Sequence, residues 1–143
     1  MSALINTQAH RAARNAASIV LADSGAGNST LRFYSTQGGT LRATRTLDKP
    51  CGAVRPADGR IALAQSATDL VASTGGAGWV EWCTGAGTPI SAGHITDQNG
   101  NYTDDTNVVV PHPLGPGVFT LRGTIGTTVY EGGIVSLGTV LIG

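Results

Sequence analysis

The run Gly78-Trp79-Val80-Glu81-Trp82-Cys83-Thr84 holds both tryptophans of the chain, and it restricts the possible folds more than any other stretch. In a strand, successive side chains point to opposite faces. Trp79, Glu81 and Cys83 then share one face, and Val80, Trp82 and Thr84 share the other. One core cannot take both rings. A carboxylate is almost never fully buried without a partner, so the Glu81 face is the outer one. Val80 and Trp82 are predicted to pack inward. Trp79 and Glu81 are predicted to lie at a surface covered by another part of the chain or by a partner. That arrangement favours an assembly or binding protein over an enzyme.

The remaining sequence suits such a strand. With 143 residues the chain makes one domain, 1–143, large enough to bury a core without metals or disulfides. An Ala-rich segment over 7–22 predicts a single helix. Asn6 or Thr7 caps its start, Gly25 stops it, and Ala9, Ala13, Ala16, Ala17 and Val20 form its apolar face. From residue 29 the period changes to two. Leu31–Ser35 and Leu41–Thr46 read as a hairpin about Gln37-Gly38-Gly39, and Asp48–Gly59, with Pro50, Gly52 and Pro56, reads as a loop. Strands are expected over 61–65, 69–73, 79–84, 90–96, 108–110, 118–122, 127–131 and 134–142. Short runs punctuated by Gly and Pro give an all-β fold, a sandwich or jelly roll of about eight antiparallel strands over 29–143 with one N-terminal α-helix.

Charge is balanced overall but not locally. Residues 1–60 carry eight basic groups against three acidic ones, +5, while residues 61–143 carry one against six, −5. Either the halves neutralise each other inside one fold, or a basic face docks on an acidic partner. Lys49, Arg55 and Arg60 make the most basic loop, and Arg11 and Arg14 add two charges on the helix. The N-terminus lacks the apolar core of a secretory signal, and no run is long enough to span a membrane. Cys51 and Cys83 are therefore expected as small buried or half-buried apolar groups, and the sequons at Asn28 and Asn101 as turns.

No catalytic or cofactor motif competes with this picture. Asp97, Asn99 and Asn101 start like a calcium loop, but Tyr102 and Val108 stand where Gly and Glu are needed, which leaves a solvated turn as the default reading. His10, His94, His112, Cys51 and Cys83 have no zinc-ligand spacing. No serine sits in a nucleophile elbow, and the glycine runs lack a phosphate-binding lysine. Arg32, Arg42 and Arg45 beside Phe33 and Tyr34 are the only basic-aromatic mix, a weak signal for nucleic acid.

The Ala-rich helix, the Leu31-Arg32-Phe33-Tyr34 strand, the tryptophan strand running into Thr84-Gly85-Ala86-Gly87-Thr88 and the closing Val/Ile stretch come in an order that resembles small virion proteins of tailed phages. More narrowly, the chain is similar to capsid cementing or decoration proteins. The resemblance implies a non-enzymatic module without cofactors on the capsid exterior, assembled in the host cytoplasm. It would act as an oligomer, a dimer by preference, with the major capsid protein as its partner. Trp79, Glu81, Arg11, Arg14, Lys49 and Arg55 are the candidate contact residues. The alternative is a tail- or fibre-associated module that binds a carbohydrate or receptor through Trp79 and the Asp97–Asp105 loop.

Overall fold

The computed structural model describes residues 7–66, 69–104 and 106–143. Helix α1 (Gln8–Ala22) starts at Thr7, whose side chain accepts a hydrogen bond from the His10 N–H at 3.2 Å. Asn6, the other expected cap, lies outside the described residues. Among the described residues eleven strands follow: β1 (Thr30–Tyr34), β2 (Leu41–Val54), β3 (Ile61–Gln65), β4 (Gly75–Gly76), β5 (Trp79–Cys83), β6 (Pro89–Asp97), β7 (Asn101–Thr103), β8 (Val109–Pro111), β9 (Phe119–Leu121), β10 (Thr128–Val129) and β11 (Leu141–Ile142).

The fold is all-β with one N-terminal helix, as the sequence implies. Seven strands form one sheet in the order β11-β3-β2-β1-β5-β6-β9, and β4 with β10 and β7 with β8 form two small ribbons. Pairing in the large sheet is antiparallel except between β6 and β9. The sheet curls until its two ends are joined by the last stretch of chain. Residues 136–138 bond to β9, through Arg122 N–H to Ser136 O and Gly138 N–H to Thr120 O, both at 2.9 Å. Three residues after Gly138, Leu141 and Ile142 pair with Ala62 and Ile61 of β3. The predicted strand over 134–142 is thus divided between two edges. It closes its own sheet and leaves neither edge free there.

Register decides what is inside. Leu31 lies opposite Trp82, and Phe33 opposite Val80 and Ala43, and all five are buried. They join Leu47, Cys51, Ile61, Ile95, Phe119 and Leu121 in one core, which Val129, Val135, Leu137 and Val140 complete. The Trp82 indole is satisfied as well as buried, because its Nε1–H donates to Ser29 Oγ at 2.9 Å while that hydroxyl donates to Cys83 O at 2.6 Å.

Three expectations need correction. The helix turns the other way: Asn15 and Ala22 are buried and Ile19 packs on the core, whereas Ala9, Ala13, Ala16, Ala17 and Val20 are exposed. The inward face is polar at its N-terminal half because it satisfies the carbonyls of the β2–β3 turn. Arg11 Nη1 and Asn15 Nδ2 donate to Asp58 O and Gly59 O at 2.7 Å, and Gln8 Nε2 donates to Pro56 O. A Cβ on Gly59 would lie 2.9 Å from Gln8 O, so only glycine admits the helix this closely. Second, Asp48–Val54 is strand, not loop. After a bulge β2 resumes pairing at Gly52 with Leu63, held by Asp23, whose carboxylate accepts the Cys51 N–H at 3.0 Å. Third, 69–73 is no strand beyond a single bridge from Leu70 to Ile134. Asp69 Oδ2 instead accepts Thr46 N–H and Oγ1–H at 2.7 and 2.6 Å.

Candidate functional site

The expected contact residues separate into three places. Arg11 and Arg55 converge on Asp58: Arg55 Nη2 lies 2.6 Å from Asp58 Oδ2, and Arg11 holds the Asp58 carbonyl. Exposed Arg14 stands on the next turn of α1, and exposed Arg60 faces Arg55 across the hairpin, where Arg55 N–H donates to Arg60 O at 2.7 Å. The Arg60 backbone N–H and then the Arg55 guanidinium hold the Asp58 carboxyl below its ordinary range. Lys49 lies at the other end of the helix, where its Nζ donates to Gly25 O and Gly27 O at 3.1 and 3.3 Å. Trp79 and Glu81 are half-buried on the outer sheet face, with Trp79 between Tyr34 and His94 and Glu81 between Arg32 and Ala92. Among the described residues the one ion pair is Arg55–Asp58, both from the basic half, so the two halves do not neutralise each other by direct contact.

Further along the outer face His94 stacks on His112, centroids 4.0 Å apart, and Tyr102 tilts against His112 at 4.9 Å. His94 Nε2 lies 3.1 Å from Gly115 O and donates to it, while His112 Nδ1 accepts the Leu114 N–H at 3.1 Å. Burial and then the neighbouring His94 push the His112 pKa below that of a free imidazole. Nothing in the sequence links two histidines eighteen positions apart on β6 and after β8.

The Asp97–Asn101 segment is a turn, but not a solvated one. Asp97 is fully buried: Oδ1 accepts Asn99 N–H and Asn101 N–H at 2.8 and 2.9 Å, and Oδ2 accepts Gly126 N–H at 2.7 Å. Gly100, at φ +81°, lets the chain turn back into β7. Burial pushes the carboxyl pKa up, but the three N–H donors outweigh it and hold the group low. Both oxygens already serve the backbone, and this overturns the calcium-loop resemblance. Among the described residues no three His, Cys, Asp or Glu side chains stand close enough to hold a metal ion. Cys51 and Cys83 are free and buried. Burial, reinforced by Asp23, pushes the Cys51 thiol up to about 12, and burial raises Cys83 as well.

A concavity lies where the β1–β2 turn faces the β7–β8 turn. It has two adjoining lobes that share Ser35, Thr36 and Asp104. One, of about 280 Å³, is completed by Gln37, Gly78, Tyr102 and Thr103; the other, of about 260 Å³, by Arg42, Gly76 and Asn107. Asp104 is set by its own turn, with Oδ1 accepting Thr106 N–H, Thr106 Oγ1–H and Val108 N–H at 2.7–2.9 Å. The Thr106 hydroxyl and the Val108 N–H hold its pKa low. Arg42 is fixed from behind by Gly76 O, Ser73 Oγ and Thr74 O. Trp79 does not line the groove and Asp97 is buried, while Asp105, also part of the expected loop, lies outside the described residues. The groove joins residues 35 to 107 and has no signature in any one stretch. A curled, helix-flanked β-sheet with a polar groove is the class that this geometry defines. No family model, curated protein or solved structure matches the chain.

Proposed function

We propose that the protein is a non-enzymatic structural component of a tailed-phage virion. In this reading it cements or decorates the capsid by docking on the major capsid protein lattice and beside its own copies. One observation carries the reading: the apolar stripe of α1 faces solvent. Ala9, Ala13, Ala16 and Ala17 are exposed in a row that ends at Val20 and Leu21, 73% and 52% exposed. Arg14 borders the stripe, and Arg55 and Arg60 stand at the turn beneath the same helix. An apolar strip with a basic margin fits a protein surface with an acidic margin. Binding only to the assembled lattice stabilises it by mass action, and many repeated contacts multiply a modest affinity. Co-sedimentation of the purified protein with expanded heads tests the reading. Ala16→Glu and Arg14→Glu should abolish or strongly weaken it, while Trp79→Ala, on the outer sheet face away from the stripe, should not. Failure of the wild-type protein to co-sediment at any salt concentration would sink the proposal.

A further inference from the structure

We infer that the groove between the β1–β2 and β7–β8 turns is a binding site for a neutral polyhydroxylated ligand, a saccharide. The inference rests on the groups that converge there with bonding capacity left over. Among the described residues, Asp104 Oδ2, Arg42 Nη2 and the side chains of Gln37, Asn107 and Thr36 have no hydrogen-bond partner, and neither has the Tyr102 hydroxyl. The residues that carry the charges are held from behind. Asp104 spends Oδ1 on its own turn, and Arg42 spends Nε and Nη1 on Gly76, Ser73 and Thr74. What each keeps is one oxygen or one nitrogen, fixed in place before any ligand arrives.

The chemistry of this set selects the ligand. Asp104 only accepts and Arg42 only donates, while Gln37 and Asn107 do both. Among the described residues the groove carries one charge of each sign, so an anion would meet the Asp104 carboxylate and a cation the Arg42 guanidinium, and an ion of either sign is disfavoured. An apolar ligand would strand every one of these groups. A hydroxyl both donates and accepts, so a ring bearing several hydroxyls matches the whole set. The Tyr102 ring, half-buried and braced by His112, adds the aromatic surface on which C–H faces of sugars pack. Lobes of about 280 and 260 Å³ sit just below the roughly 300–1,000 Å³ of small-molecule sites, a size for one or two sugar rings. Asn107, at φ +63° in the left-handed region, lines the second lobe.

The test is a titration of the full chain followed by amide NMR shifts. The probes are glucose, N-acetylglucosamine and their linear oligosaccharides, with inorganic phosphate and spermidine as charged controls. The expected result is a saturable shift at Thr36, Gln37 and Tyr102 with at least one neutral saccharide and none with either control. Tighter binding of the oligosaccharide than of its monomer would show that a glycan chain, rather than a free sugar, fills both lobes. Asn107→Gly keeps the left-handed turn and Gln37→Ala removes an exposed side chain. Each is expected to weaken binding about two- to tenfold, the net worth of one hydrogen bond. The inference is overturned if no neutral saccharide gives a saturable shift, if a control ion binds in the groove instead, or if both variants bind as the wild type does. It stands apart from the capsid reading. Groove variants should leave co-sedimentation with heads unchanged, and Ala16→Glu should leave the saccharide shifts unchanged, so either can fail without the other.

Discussion

Replacing Asp97 by Asn tests whether one buried carboxylate ties three segments together. The side chain keeps its shape, and its single carbonyl oxygen still accepts from Asn99 and Asn101. Its amide now points a donor at the Gly126 N–H, where the wild type has a 2.7 Å bond to Oδ2. One charge-assisted bond is lost, two others become neutral, and a buried N–H is left without an acceptor, for a total of about 3 kcal/mol. At about 3 °C per kcal/mol for a chain of this size, the melting temperature should fall by roughly 10 °C at neutral pH. The wild-type carboxyl titrates below its ordinary value of 3.8 in the folded protein. Its contribution is therefore complete above that value and is lost as the pH falls through the lower, folded pKa. Calorimetry across this range should show the wild type converging on the variant as the solution is acidified. Equal melting temperatures at neutral pH, or a gap that persists unchanged however far the solution is acidified, would refute the reasoning.

Ser29→Ala leaves the Trp82 Nε1–H without an acceptor inside the core, and urea denaturation should register a loss of about 1–3 kcal/mol. Leu137→Ala, in the stretch that joins β9, should cost about 2–5 kcal/mol, and a smaller loss would mean that the sheet does not depend on its closure. Neither cysteine should react with a thiol reagent in the native protein at mildly alkaline pH. Both should react in urea, since burial keeps Cys51 protonated up to about pH 12. The His112 imidazole, followed by NMR, should titrate below the ordinary 6.5 and move toward it in His94→Ala. Stability from this pair should be present above the unfolded value and lost as the pH falls, because protonation of Nδ1 ends its bond from Leu114.

Local pattern was enough to find the strands in which it is strict. Leu31 and Phe33, Val80 and Trp82, and Ile61 alternate as a half-buried strand must, and each faces the core. The same reasoning failed where tertiary contacts outweigh composition. The alanine stripe of α1 looks like a buried face because it is apolar, yet burying alanine gains little area. The carbonyls of the 56–59 turn draw Arg11 and Asn15 inward instead. Pro50 and Gly52 look like a loop, and only the pairing with β3 shows that the strand continues past a bulge. At the groove Tyr102 and Asp104 lay within the loop that the sequence marks as polar. Gln37 and Asn107 gave no sign, and Arg42 stood out only within a basic-aromatic mix, because their common feature, spare hydrogen-bonding capacity facing one space, exists only after folding.

Closure by residues 136–142 also orders events in time. β3 and β9 lie roughly sixty residues apart in sequence and have no way to meet until the stretch that joins them has been made. A chain still on the ribosome has both edges open, with Ile61 and Leu121 beside them. Slow, non-local pairing of this kind exposes intermediates to association with other chains. Folding of this protein is therefore expected to complete only after synthesis has passed Ile142, and the time spent with the sheet uncurled sets its exposure to aggregation.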